Sequence, residues 1–276
     1  MQRLFALSIL LGILQGVLPF VVRPSVHRCV GACRANVVLR AETDLSDVGV
    51  VVLAGGTGSR MKANMPKQFL PLLNKPILTY SLNLFLKNLT PSTVILVMNK
   101  QYHPEYQSWV DNSNGKLHFA EPGVERQGSV SNGLQKLTEV NSSLKYIAVH
   151  DSARPLVTIN EVNKVVADAK KHGAAVLGVK CKATIKRSLD GEFVTETIPR
   201  STLWEIHTPQ VIEIPLLRKG FEKVEKEGLE VTDDASIVEQ LGEKVKLTEG
   251  EYTNLKITTP EDLEVAGSIL RERGGV

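Results

Sequence analysis

From about residue 47 onward, short apolar runs alternate with amphipathic stretches. The runs in "GVVVLAGG" (49–56), "TVILVMN" (93–99), "KLHFAE" (116–121), "YIAVHD" (146–151) and "AAVLGVK" (174–180) have strand length and are rich in β-branched residues. Between them the apolar positions recur at helical spacing. Val130, Leu134 and Leu137 fall at i, i+4 and i+7, and Val162, Val165, Val166 and Ala169 form a second stripe. "PILTYSLNLFLKNL" (76–89) reads as a buried helix. This alternation is that of βαβ units. The expected fold is therefore α/β, a mostly parallel Rossmann-like sheet with helices on both faces. Further helices are expected near "PLLRKGFEKVEKEG", "DDASIVEQLG" and "PEDLEVAGSILRER", with a short strand "EKVKLTE" before the last of them.

One segment departs from this rhythm. "CKATIKRSLDGEFVTETIPRSTLWEIHTPQ" (181–210) alternates residue by residue around Asp190 and Gly191, which is a hairpin signal. Its polarity on both faces disfavours another pair of core strands. A protruding β-arm that packs on a second subunit is expected instead, which would make the protein a homodimer; the alternative is an antiparallel sheet edge.

Charge changes the picture mainly at the start of the chain. The formal net charge of the 276 residues is +3, but residues 1–41 carry five arginines and no Asp, Glu or Lys. Without those five, 28 Lys and Arg face 30 Asp and Glu, about −2, so the body is near neutral and gives no sign of a nucleic-acid surface. The opening "MQRLFALSILLGILQGVLPFVV" has a basic start and a broken apolar run, the pattern of a secretory signal rather than a spanning helix. The Arg-containing, acid-free stretch behind it has transit-peptide composition. Residues 1–43 are thus expected to be a bipartite leader that is removed, leaving a single α/β domain at 44–276 with no membrane association. Two-step import into a plastid is the expected destination. Cys29 and Cys33 lie in that leader, which leaves only Cys181 in the body, with no zinc spacing and no intrachain disulfide available.

Two constellations carry candidate chemistry. In "VVVLAGGTGSRMKANMPKQ", Gly55, Gly56 and Gly58 follow a strand, where backbone N–H groups can approach an anion closely, and Arg60 and Lys67 add positive charge. Neither the dinucleotide fingerprint nor the Walker-type phosphate loop fits its spelling. Glycines, arginine, lysine and a rigid "MPKQ" together point to a triphosphate site. In "VHDSARPLV", the strand delivers Asp151 to its carboxyl end, where a carboxylate can hold a divalent cation. Arg154 follows on the same loop, suited to a bidentate phosphate contact, and His150 reads as structural.

The motifs "LAGGTGSRMKANMPKQFLPLLNKPIL", "PGVERQGSVSNGL", "HDSARPLV", "ATIK", "LWEIHTPQ", "TDDASIVE" and "NLKITTPEDL" occur in the order found in 2-C-methyl-D-erythritol 4-phosphate cytidylyltransferases, and the chain resembles the plastid members most. The resemblance covers everything after the leader. It implies transfer of CMP from CTP to 2-C-methyl-D-erythritol 4-phosphate, with pyrophosphate released, in the non-mevalonate isoprenoid pathway. It also implies Mg²⁺ or another divalent cation. Carried over by motif, Ala54, Gly55, Gly56, Gly123 and Ser129 would contact the nucleotide. Arg60 and Lys67 would meet charge at the α-phosphorus, and Lys256 and Arg200 would orient the attacking phosphate. Asp151 would hold the metal and touch substrate, while Arg154, Thr184, Thr208 and Thr232 would bind methylerythritol phosphate. Arg200 and Thr208 would enter the neighbouring subunit's site on the arm. The alternatives are a cytidylyltransferase for another polyol phosphate, such as ribitol 5-phosphate, and a non-catalytic nucleotide-binding protein. "QGSV" departs from the commoner spelling with Asp before the serine, and Ser152 stands where many relatives have alanine.

Overall fold

The computed structural model describes residues 43–56, 58, 61 and 65–274. The leader expected at 1–43 therefore lies outside the described residues but for its last position, and so does Arg60.

A seven-stranded sheet forms the centre, in the order β11-β7-β10-β6-β1-β4-β5. Its members are β1 (Val48–Leu53), β4 (Thr93–Val97), β5 (Leu117–Ala120), β6 (Tyr146–Asp151), β7 (Ala174–Lys180), β10 (Trp204–Glu213) and β11 (Lys246–Glu249). The small strands β2 (Pro71–Leu72) and β3 (Lys75–Pro76) make one separate pair, and β8 (Ile185–Arg187) and β9 (Glu196–Ile198) make another. All pairings in the main sheet are parallel except those of β10, which runs antiparallel to both β6 and β7. The five apolar runs of the sequence are β1, β4, β5, β6 and β7, five of the six strands that run parallel; β11 is the sixth.

Helices cover both faces. On one, α1 (Ile77–Asn83), α2 (His103–Asp111) and α4 (Ile159–His172) bury Leu78, Leu82, Tyr106, Val162, Val165 and Val166 against Val50, Val52, Val94 and Leu96. On the other, α3 (Arg126–Val140), α5 (Ile214–Glu227) and α6 (Asp234–Glu239) bury Val130, Leu134, Leu137, Leu217 and Ile237 against Val51, Ile95, Ile147 and Ile212. Alternate residues of β1 thus point to opposite faces, the two-residue period expected of a strand covered on both sides. A smaller cluster, with Leu72, Leu156, Ile257 and Ala266, seats α7 (Pro260–Glu272) on the loops at one end. The helix expected at 76–89 is α1 followed by a π-helical turn, Leu84–Leu89, ending at Thr90 in the left-handed region. Among the described residues, no helix is long and apolar enough to cross a membrane.

The arm is shorter than the sequence implied. Its hairpin is β8 and β9, turning near Gly191, whereas Trp204–Gln210 begin β10 inside the main sheet. The polar side chains that made this stretch look two-faced are buried with partners. Thr208 and Gln210 are 4% and 2% exposed, and Gln210 donates to Asp233 while accepting from the N–H of Ala235. Polarity was a poor guide to exposure here, because internal acceptors and donors satisfy it. Pro209 sits where the register of β10 on β7 shifts, between Ile206 and Gln210, the kind of bulge that tolerates proline inside a sheet.

Candidate active site

The chain visits β1, β4 and β5 in order moving outward, then crosses back to β6 on the other side of β1. The strand order therefore reverses between β1 and β6, and a crevice outside their carboxyl ends is where ligands bind in such sheets. The parallel register pairs Leu53 with Asp151 at those ends. Ser152 locks them together, its N–H and hydroxyl both donating to the carbonyl of Leu53 at 3.1 and 2.7 Å. This gives Ser152 a role that alanine could not fill with its side chain.

A cavity of about 320 Å³ opens there, large enough for a small ligand. Ala54, Gly55 and Gly56 form one wall and Lys67 stands beside them. The Lys67 ammonium donates to the carbonyl of Ile257 at 2.8 Å. The opposite wall is the turn into α3, with Gly123 and Ser129. Gly123 is required by space: a Cβ would stand 2.5 Å from the backbone carbon of Gly128. The hydroxyl of Ser129 accepts from the N–H of Gly123 at 3.0 Å and donates to the carbonyl of Glu125 at 3.2 Å. A Cβ on Gly128, the residue before Ser129, would stand 3.3 Å from Cα of Gly123, so the two turns are in close contact here.

Asp151 forms the floor with Lys256. Its Oδ2 accepts from the Lys256 ammonium at 2.5 Å and its Oδ1 lies 3.5 Å from Nη2 of Arg126. Burial alone would raise its carboxyl pKa. Arg126 first, then Lys256 and Arg154, outweigh burial and hold it well below the usual carboxylate range. Asp151 is ionised at neutral pH.

Arg126 is the member that the sequence reading passed over. It opens α3 and makes a bidentate pair with the buried Asp234, both contacts 2.8 Å, while its edge faces Asp151. Burial opposes its charge, but Asp234 and Asp151 raise its pKa above the ordinary arginine value. The signal was available in "PGVERQGSV" and "TDDASIVE", two quoted motifs whose Arg and second Asp were not weighed as partners.

Other candidates stand elsewhere. Arg154 is 8% exposed and gives Nη1 to the carbonyl of Asn254 at 2.7 Å and Nη2 to that of Ile206 at 3.1 Å. It joins two backbone segments behind the floor. Burial pushes its pKa down to about 10, so it remains charged. Thr208 is corrected. It lies in β10, not on the arm, and its hydroxyl accepts from the N–H of Asp151 in the same chain at 3.1 Å. The same hydroxyl is 3.2 Å from Nδ1 of His150, whose pKa burial lowers to about 4; His150 is neutral and structural, as expected. Thr232 is exposed on the loop before α6, beside Arg126 but outside the main cavity. Thr184 and Arg200 are exposed at the base of the hairpin, where Arg200 donates to the carbonyl of Lys182 at 3.2 Å, and neither lines this chain's cavity.

Among the described residues, no group of three or more His, Cys, Asp or Glu is arranged to hold a metal ion. Among the described residues that line the cavity, Asp151 is the carboxylate paired with cations, Lys256 and Arg126. Such a donor set suits Mg²⁺, which is commonly held by one or two carboxylates together with substrate phosphates.

The sequence pattern of the family described as IspD, 2-C-methyl-D-erythritol 4-phosphate cytidylyltransferase, matches residues 48–272. A chloroplastic protein of that name from Oryza sativa subsp. japonica is 50% identical over 226 residues, covering 82% of this chain and 75% of its own length. A protein of the same name from Geobacillus thermodenitrificans is 41% identical over 225 residues, covering 81% and 96%. Among solved structures, 2-C-methyl-D-erythritol 4-phosphate cytidylyltransferase from Thermus thermophilus superposes with a TM-score of 0.67 at 32% identity, over 82% of this chain and 99% of that one. The 4-diphosphocytidyl-2C-methyl-D-erythritol synthase from Anaerococcus prevotii gives 0.72 at 26% identity, over 83% and 100%.

Proposed function

We propose a working site from the premise that the chain belongs to the 2-C-methyl-D-erythritol 4-phosphate cytidylyltransferase family. Its activity is that of the family: CMP passes from CTP to 2-C-methyl-D-erythritol 4-phosphate, giving 4-diphosphocytidyl-2-C-methyl-D-erythritol and pyrophosphate, a step in isoprenoid biosynthesis. A phosphate oxygen of the methylerythritol substrate attacks the α-phosphorus of CTP, one P–O bond forms, and the bond to the β-phosphate oxygen breaks. No covalent enzyme nucleophile is needed, so the site's task is positioning and neutralising charge.

The observation that carries this reading is the pairing of Leu53 with Asp151, which supports one cavity holding the glycine turn, Lys67, Asp151 and Lys256. In it the turn at Ala54, Gly55 and Gly56 and the turn at Gly123 and Ser129 receive the nucleotide. Lys67 and Arg60 meet charge that builds at the α-phosphorus, and Lys256 orients the attacking phosphate. Asp151, together with the substrate phosphates, would hold Mg²⁺, which would supply further charge neutralisation. Replacing Asp151 with asparagine keeps the shape but removes the anion that Lys256 and Arg126 face. The expected result is loss of most metal-dependent activity with the fold retained, checked by pyrophosphate release and circular dichroism. Full activity at unchanged Mg²⁺ contradicts the assignment.

Thr184 and Arg200 act in the partner subunit's site. The exposure of three large apolar residues on the hairpin, Leu189, Phe193 and Val194 at 83%, 72% and 61%, supports packing of this arm on a second copy. The protein works in a plastid, reached through residues 1–43, in keeping with the chloroplastic rice relative. A fluorescent protein fused after residue 47 is expected in the plastid, and one fused after Val22 in the secretory path. Cytosolic fluorescence from both contradicts a bipartite leader.

A further inference from the structure

We propose that Gln68 is a positioning residue for the nucleotide: its amide sets the peptide planes of the glycine turn so that the turn can receive the phosphates. Gln68 is 3% exposed and follows Lys67 in a short 3-10 turn, Lys67–Phe69. Its Nε2 donates twice, to the carbonyl of Ala54 at 2.6 Å and to that of Gly56 at 3.0 Å. An amide NH₂ group has two hydrogens, and both are used on one turn.

The consequence concerns which way the turn's dipoles point. A carbonyl turned towards a triphosphate repels it, whereas an N–H attracts it. Three carbonyls of this segment are held by side chains: Ser152 donates to Leu53, and Gln68 donates to Ala54 and Gly56. The N–H of Ala54 is itself spent on the carbonyl of Val97 at 2.8 Å. The N–H of Gly55 lies trans to the held carbonyl of Ala54 and so on the opposite side of that peptide, and Gly55 lines the cavity. Neither of the neighbouring bonds can do this alone, because Ser152 reaches only the first of the three carbonyls. The position of Gln68 next to Lys67 couples the turn to the cationic side chain of the same site. A close spacing between a charge that neutralises and an amide that orients is then built into the sequence "PKQ".

This inference rests on reading the turn as the triphosphate site, and two sets of variants separate the two claims. Gln68→Met has similar length and no donor. Gln68→Glu has the same shape, but its carboxylate opposes two carbonyls, and protonation restores a single donor. Gly56→Val adds bulk where a Cβ meets no atom of the described residues within 4 Å, and thermal unfolding checks that the fold is kept. CTP affinity is measured by calorimetry on the full chain of each variant between pH 5.5 and 8.5, with KM for methylerythritol phosphate and thermal unfolding recorded alongside.

Gln68→Met is expected to weaken CTP binding on the order of ten- to a hundredfold, as the loss of two buried hydrogen bonds implies, while KM for the second substrate changes little. Gln68→Glu is expected to bind CTP worst at pH 8.5 and to recover part of the loss towards pH 5.5, relative to the unsubstituted chain at each pH. A residue that merely stabilised the fold would lower the unfolding temperature without this pH signature. CTP affinity unchanged in both Gln68 variants but lost in Gly56→Val overturns the role of Gln68 and leaves the triphosphate site standing. CTP affinity unchanged in Gly56→Val as well overturns the site itself.

Discussion

Lys67→Ala is expected to lower kcat by about 10²–10³ while changing the affinity for CTP far less. Lys67 stands at the cavity wall beside the glycine turn, with its ammonium anchored to the carbonyl of Ile257. A charge so placed meets the negative charge that builds as the α-phosphorus becomes crowded with oxygens, more than it meets the ground-state nucleotide. Interactions stronger in the transition state than in the ground state appear in kcat, and those equal in both appear in KM. Arg60 is assigned the same task from the sequence, so Arg60→Ala is expected to behave alike. Steady-state kinetics with both substrates varied checks this. A normal kcat with a raised KM for CTP would make these residues ordinary binding charges.

Mixing two inactive variants is expected to restore activity. Arg200 is exposed at the base of the hairpin and does not line its own chain's cavity, whereas Lys67 does. If the arm serves the partner's site, each site combines Lys67 of one subunit with the partner subunit's Arg200. Lys67→Ala and Arg200→Ala homodimers are then both nearly inactive. Closed two-fold pairing of the two variants gives mixed dimers with one doubly broken site and one intact site. Random pairing makes half the dimers mixed, so about a quarter of all sites recover. With Arg200 acting in its own subunit, every site carries one lesion and nothing recovers. Demonstrated subunit mixing without recovered activity contradicts the arm's role.

Most of the parallel strands, the glycine turn and the carboxylate at the floor were legible because their signals are local. A run such as "VVVLAGG" states both a buried strand and the turn that must follow it, and "YIAVHD" places a carboxylate at a strand end. Arg126 was not legible because its meaning depends on Asp234, 108 positions away, and on Asp151 across the sheet. The beginning of β10 was misread for a related reason. Alternating polarity in "WEIHTPQ" looks like solvent exposure until His150, Asp151 and Asp233 are seen to satisfy Thr208 and Gln210 from inside. The bonds of Arg154 were hidden in the same way. Three positions beyond a strand end, its guanidinium also donates to the carbonyls of Ile206 and Asn254, far along the chain. Sequence separates residue types well, but it does not say which side of a loop a long side chain will take.

The central claim is that this cavity joins CTP to methylerythritol phosphate, and its most direct measurement is pyrophosphate release by the purified protein with Mg²⁺. CTP, UTP, ATP and GTP are each paired with 2-C-methyl-D-erythritol 4-phosphate and with ribitol 5-phosphate. The account predicts rapid release only from CTP with the methylerythritol substrate, abolished in Asp151→Asn. Equal or faster release with ribitol 5-phosphate, or no release from any pair by a protein that binds CTP, would contradict it.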